Sequence, residues 1–95
     1  MPAYLIAEVD VHDPVAYEEY KTLAAVAVAK YGGEYIARGG ATELLEGWPR
    51  PQRVVIIRFP DLATVRSWHA SPEYTRARAV RERAATSRFQ VVDGL

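Results

Sequence analysis

The chain lacks cysteine, net charge and long apolar runs, and each absence excludes a class of function. Without cysteine there is no disulfide, thiolate metal site, iron–sulfur cluster or cysteine nucleophile, which also fits a reducing compartment. Twelve Lys and Arg balance twelve Asp and Glu among 95 residues, so no overall field favours nucleic acid or an anionic membrane surface. No apolar run approaches the roughly 18 residues of a transmembrane span. We expect a cytoplasmic protein that binds neither nucleic acid nor membrane.

Patterns that hold metals, dinucleotides or nucleophiles are also missing. The two histidines, His12 and His69, stand in no metal-ligand spacing with another histidine or with a carboxylate. The Gly-Gly pairs lack the G-x-G-x-x-G pattern of a dinucleotide fold, and no G-x-S-x-G segment supports a nucleophilic serine. We therefore expect no metal ion and no cofactor.

Capping residues predict where the helices begin. Asp13 is placed as an N-cap with a proline at N1, and the apolar face of that helix continues to Tyr31. A second helical segment follows Asp61, is broken at Ser71-Pro72 where Ser71 can cap a new helix, and then runs through Ala85.

Apolar runs of strand length lie between these helices. The predicted strands are Ala3–Val11, Tyr35–Arg38, Arg53–Phe59 and Phe89–Val92. Glycines after the second strand predict a bend or bulge at Gly39-Gly40. No linker divides the chain, so residues 1–95 form one domain with the order β-α-β-β-α-β. That order is typical of a ferredoxin-like α+β fold, an antiparallel sheet with helices on one face.

The strands are apolar on both parities, although the helices of one chain can cover only one face of the sheet. One set is apolar throughout and suits the face under the helices: Leu5, Ala7, Val9, Val11, Tyr35, Ala37, Val55, Ile57, Phe59, Phe89 and Val91. The other set mixes Tyr4, Ile6, Ile36, Val54, Ile56 and Val92 with Glu8, Asp10, Glu34, Arg38, Arg58 and Gln90. We predict a homodimer in which a second copy covers the mixed face, with Glu8 paired to Arg38 or Arg58 because buried charge is costly alone.

Several segments spread over nearly the whole chain match the pattern of one family. They are Met1-Pro2-Ala3-Tyr4, Asp13-Pro14-x-x-Tyr17-x-x-Tyr20, Tyr31-Gly32-Gly33-x-Tyr35, Arg38-Gly39-Gly40, Leu45-Glu46-Gly47, Arg53-Val54-Val55-Ile56, Phe59-Pro60 and Trp68-x-x-Ser71-Pro72-x-Tyr74. With these segments the chain resembles the small bacterial family catalogued as domain of unknown function 1330. The resemblance implies a subunit of a dimeric α+β barrel, in which two sheets close a barrel, and it implies no particular reaction. Relatives in that superfamily include cofactor-free monooxygenases, small isomerases and dye-type haem enzymes, and fold kinship alone is only an analogy for function.

Two positions depart from that family pattern. Arg58 stands where a glutamate is expected before the phenylalanine, and His69 stands where a tyrosine usually follows the tryptophan. If Arg58 faces the barrel, it favours an anionic ligand or pairs with Glu8, which is the reverse of what a carboxylate there would do.

The candidate site residues are aromatic and basic. Candidate catalytic residues are His69, as an acid or base, and Arg38, as the anchor of an oxyanion. Candidate ligand-binding residues are Tyr17, Tyr20, Arg38, Arg58, Trp68 and Tyr74. Each has an alternative: the aromatics as core, the arginines in interfacial ion pairs, and His69 as a surface or packing histidine.

These residues lead to two functional hypotheses. The first is a small-molecule-binding protein or a cofactor-independent enzyme, monooxygenase-like or isomerase-like, with a pocket between sheet and helices for a small aromatic or carboxylate-bearing ligand. The second is a non-catalytic homodimeric structural or stress-related module with no ligand, whose interior is filled by its own side chains.

Overall fold

A computed structural model describes residues 1–95 and contains four strands and three helices. The strands are β1 (Ala3–Val11), β2 (Glu34–Arg38), β3 (Arg53–Phe59) and β4 (Ala85–Asp93), and the helices are α1 (Pro14–Lys30), α2 (Leu62–Ala70) and α3 (Pro72–Ala84). The helix starts are the predicted ones, because Asp13 accepts a hydrogen bond from the backbone N–H of Ala16 and Asp61 accepts one from Thr64. None of the helices has the length and apolarity needed to cross a membrane.

The strands form one open sheet in the order β2-β3-β1-β4, with every neighbouring pair antiparallel. This is the strand order of a ferredoxin-like fold, and the predicted α+β class is confirmed. Alternate residues of β1, from Ala3 to Val9, are buried under the helices. The opposite face of the sheet carries no helix, and within one chain the sheet does not close into a barrel.

A β-bulge in β2 changes which residues face the helices. Tyr35 and Arg38 are three residues apart, yet their partners on β3, Ile57 and Val55, are only two residues apart. Because both partners are buried on the helix side, the extra residue turns Tyr35 and Arg38 toward the same face.

This bulge overturns two predictions made from parity. Arg38 lies under the helices and Ala37 lies on the outer face, the reverse of the predicted arrangement, because the bulge falls between Tyr35 and Ala37 rather than at the glycines. The pairing of Glu8 with Arg38 or Arg58 was predicted for a sheet face covered by a second copy, and it stays a prediction. The salt bridges of the structure are Lys21–Glu18, at 2.9 Å, and Lys30–Glu73, and the neighbours of Glu8 across the strands are Val54 and Arg88.

The last strand is longer than predicted. β4 begins at Ala85, directly after α3, and pairs with β1 over nine residues. The sequence predicted only Phe89–Val92 because Thr86, Ser87 and Arg88 show no apolar alternation and no glycine or proline marks the helix end. Pairing with β1 fixes the extended backbone there, where Ala85 has φ −157° and ψ 157°.

Ser71 forms the junction between α2 and α3, as its predicted capping role requires. Its hydroxyl donates to the carbonyl of Trp68 at 2.7 Å and accepts from the backbone N–H of Tyr74 at 3.0 Å. The residue is 3% exposed. This junction brings the rings of Trp68 and Tyr74 to a centroid separation of 4.1 Å.

We expect Ser71→Ala to lower the free energy of unfolding by about 1–2 kcal/mol, because it removes the cap and leaves a buried N–H without its acceptor. Urea denaturation measures the change. Ser67→Ala, an exposed position on α2, is the matched control and should change stability by less than about 0.5 kcal/mol. Equal losses from the two substitutions would contradict the capping role.

A second expectation concerns Gly33, which connects α1 to β2 against the core. A Cβ added there would lie 2.7 Å from Val28 Cγ1 and 2.9 Å from Phe59 Cε1, whereas a Cβ at Gly40 meets nothing within 4 Å. We expect Gly33→Ala to cost about 1–3 kcal/mol of stability through overpacking. Gly40→Ala should cost none, and thermal or urea unfolding of the pair measures the difference. If Gly33→Ala unfolds at the same temperature or urea concentration as the wild type, the turn has room for a Cβ and the overpacking is contradicted.

Candidate functional site

An apolar pocket lies between the sheet and α1. Of its 15 lining residues 12 are hydrophobic, and the space among them is about 430 Å³ when its open mouth is included. The cavity itself is only about 30 Å³, which is room for about two water molecules. Ala7 and Ala24 are among the lining residues, and their small side chains leave the space that larger ones would fill. We call this space the helix-side pocket.

The charged side chains that line the helix-side pocket are all cations: Lys21, Arg38 and Arg53. Lys21 is paired with Glu18 at 2.9 Å, but Arg38 and Arg53 take part in neither salt bridge of the structure. Such a set of donors beside apolar walls suits an anionic oxygen of a ligand.

The two free guanidinium groups pack against tyrosine rings of the pocket. The Cζ atom of Arg38 lies 4.3 Å from the ring centre of Tyr35, and that of Arg53 lies 5.7 Å from the ring centre of Tyr17. Arg53 Nε is buried without a hydrogen-bond partner. Cation–π contacts fix the positions of these groups without using the donors that an oxyanion would need.

Beside the pocket, two buried tyrosines are joined to an arginine. The hydroxyls of Tyr20 and Tyr74 are 2.8 Å apart, and Arg81 Nη1 donates to the Tyr74 hydroxyl at 2.8 Å. Burial raises the pKa of Tyr20 far above its usual range, and burial also raises the pKa of Tyr74, although the positive charge of Arg81 opposes that increase. Both hydroxyls therefore stay protonated at neutral pH.

Trp68 is 1% exposed and lines both the helix-side pocket and a shallow groove that His69 also borders. Its ring centre lies 5.2 Å from that of Phe59. The indole Nε1 is buried and has no hydrogen-bond partner. An unpaired buried donor is uncommon in a folded protein.

His69 does not line the helix-side pocket. It is exposed at the end of α2, borders the shallow groove, and its Nε2 lies 3.1 Å from Arg78 Nη2. Because arginine only donates, Nε2 accepts and the imidazole is neutral. Partial desolvation, together with the positive charges of Arg78 and Arg81, lowers the pKa of His69 below its usual range.

The structure brings together some of the candidate residues and separates others. Tyr17, Tyr20, Arg38 and Trp68 line the helix-side pocket, and Tyr74 lies behind Tyr20. Arg58 is exposed on the outer face of the sheet, opposite Tyr4. No three His, Asp or Glu side chains are grouped so that they could hold a metal ion.

Sequence reasoning missed three basic residues of this region, Lys21, Arg53 and Arg81. Arg53 has the same parity as Val55 and Ile57, so a basic residue at the start of that apolar set was a usable signal. Lys21 follows Tyr17 by four residues and therefore shares its helix face. Arg81 follows Tyr74 by seven residues and so lies two turns further along the same face of α3, a spacing that was also a usable signal.

Solved structures of proteins from several organisms have the same fold. A protein of unknown function from Rhodopseudomonas palustris has a TM-score of 0.82 and 21% identity, covering 99% of this chain and 82% of its own. A dimeric ferredoxin-like protein of unknown function from a Jannaschia species has a TM-score of 0.78 and 12% identity, covering 99% of this chain and 100% of its own.

One similar structure is an enzyme. SnoaB, a cofactor-independent oxygenase from Streptomyces nogalater, has a TM-score of 0.72 and 19% identity, covering 99% of this chain and 93% of its own. At these identities the likeness shows the fold alone. No curated protein matches the chain.

The sequence itself identifies a family, and it is the one that the motifs resemble. The family described as Domain of unknown function (DUF1330) matches residues 2–95. The chain belongs to this family.

Proposed function

We propose that the protein binds a small aromatic carboxylate, or a similar small anion, in the helix-side pocket. The observation that carries this proposal is an apolar pocket whose charged lining residues are all cations, two of them without a carboxylate partner. Aromatic and aliphatic walls suit a flat ring, and the guanidinium groups of Arg38 and Arg53 suit a carboxylate.

The same site supports a cofactor-independent enzyme as well as a binding protein. SnoaB has this fold and is a cofactor-independent oxygenase, and a protonated hydroxyl beside a cationic pocket is a general means of stabilising an oxyanion. In an enzymatic role Arg38 holds the oxyanion and Tyr20 supplies the hydrogen-bond donor. Tyr20 suits this role better than His69, because Tyr20 lines the pocket and the Nε2 of His69 is engaged by Arg78.

The competing function is a non-catalytic module without a ligand. One observation favours it: the cavity itself is about 30 Å³, whereas ligand pockets usually enclose about 300–1,000 Å³. A ligand must therefore occupy the open mouth and displace the long side chains that border it.

The proposal includes a homodimer. Tyr4, Ile6, Val54 and Ile56 are half-buried on the outer face of the sheet, where no helix covers them, and Val92 is 51% exposed. The similar Jannaschia protein is dimeric. In the proposed assembly two sheets pack by their outer faces and close an α+β barrel, which removes this apolar surface from water.

We expect the wild-type protein to bind benzoate, and Arg38→Met to weaken that binding about tenfold through loss of a charge-assisted hydrogen bond. Isothermal titration calorimetry measures both affinities. Arg58→Met is the matched control, because Arg58 is also an exposed strand arginine but lies on the outer face. Absence of binding to the wild type would favour the ligand-free module, and equal losses in the two variants would place the anion elsewhere.

We expect light scattering to give twice the 10.6 kDa mass of the chain. Ile56→Glu should shift the protein toward monomer, since it places a charge on the apolar outer face. Val15→Glu is the control, because Val15 is 83% exposed on α1 and lies away from that face. A wild-type monomer at micromolar concentration would contradict the proposed assembly.

A further inference from the structure

The hydrogen bond between Tyr20 and Tyr74 can run in two directions, and the surrounding contacts distinguish them. Arg81 donates to the Tyr74 oxygen, and arginine has no acceptor to offer in return. If Tyr20 also donated to Tyr74, the Tyr74 proton would have no acceptor, because the hydroxyl of Tyr74 makes only these two hydrogen bonds. Tyr74 is 0% exposed, so that proton would be buried with no partner, which costs its full desolvation penalty.

If Tyr74 instead donates to Tyr20, every donor that lies away from the pocket has an acceptor. Arg81 donates to Tyr74, Tyr74 donates to Tyr20, and the proton of Tyr20 is the one left over. Tyr20 lines the helix-side pocket whereas Tyr74 does not. The unused proton is thereby placed on the tyrosine of the pair that borders the pocket.

We propose that Arg81 and Tyr74 orient the Tyr20 hydroxyl so that it donates a hydrogen bond to an uncharged or charged oxygen of the ligand, such as the carbonyl of an aromatic keto acid. The inference deepens the proposed function by assigning a second polar group to the ligand besides its carboxylate. Tyr20 is the binding residue, and Tyr74 and Arg81 are positioning residues that act through it.

The polarity of the pocket fits this ligand. Its lining contains no carboxylate, amide or imidazole side chain, so the hydrogen-bonding groups it offers are mainly donors, and the indole N–H of Trp68 is a further buried donor without a partner. Hydrogen bonds in series polarise one another, so a cation at the far end strengthens the donation by Tyr20. The raised pKa of Tyr20 keeps this group a donor at all pH values near neutrality.

A pair of ligands of nearly equal shape tests the assignment. 4-Acetylbenzoate carries a ketone oxygen where 4-isopropylbenzoate carries a methyl group. We expect wild-type protein to bind the ketone about fivefold more tightly by calorimetry. Tyr20→Phe should abolish this preference while still binding both compounds through the arginines.

Matched variants separate a directed donor from a general effect on packing. Tyr31→Phe removes a tyrosine hydroxyl outside the pocket, on a residue that packs against the core, so it should keep the preference for the ketone. Arg81→Met should reduce that preference, and Arg81→Lys should restore part of it by again donating to Tyr74. A preference that persists unchanged in Tyr20→Phe would overturn the proposal while leaving the proposed pocket intact.

Proton NMR tests the direction without any ligand. Nuclear Overhauser contacts to ring protons show which tyrosine carries the hydroxyl proton between Tyr20 and Tyr74. We expect that proton to be protected from exchange and to belong to Tyr74. A bridging proton that belongs to Tyr20 would overturn the orientation even if neither benzoate binds, whereas failure of both compounds to bind with the proton on Tyr74 would count against the proposed function and leave the orientation supported.

Discussion

The pairing of β1 with both β3 and β4 is the constraint on which the rest of the structure depends. β1 lies between them in the sheet, so its register decides which side chains of three strands face the helices. A slip of one residue would reverse every side chain of the strand. With the observed register, Ala3, Leu5, Ala7 and Val9 lie under the helices. The β3 partners of the first three are Phe59, Ile57 and Val55, which complete the same apolar layer.

The helix-side pocket follows from this layer because the layer is apolar but unevenly filled. Small side chains at Ala7 and Ala24 leave space between β1 and α1, and Tyr17, Tyr20 and Tyr35 are among the residues around it. The bulge in β2 then adds a charge by turning Arg38 toward the helices. An arginine on a regular strand would have faced the other way, and the pocket would have lost one of its two unpaired guanidinium groups.

The sequence was sufficient to predict the element order, the fold class, the caps Asp13, Asp61 and Ser71, and the break between α2 and α3, because each depends on local chemistry. It failed where tertiary pairing overrides local pattern. β4 starts at Ala85 because its residues pair with β1 from that point. Arg38 faces the helices because of a bulge in β2 that no glycine marks. The aromatic part of the site was found because tyrosines and tryptophan recur on the apolar faces of the helices. Arg53 was missed because its role depends on a contact between β3 and α1.

The proposed function depends on the binding of an anion against Arg38 and Arg53 in the helix-side pocket. A crystal structure of the protein soaked with 4-bromobenzoate tests it most directly, because anomalous scattering from bromine locates the ring without ambiguity. We expect the bromine inside the helix-side pocket and the carboxylate within hydrogen-bond distance of the two guanidinium groups. A pocket closed by its own side chains at saturating ligand, or a bromine found only on the outer face of the sheet, would contradict it.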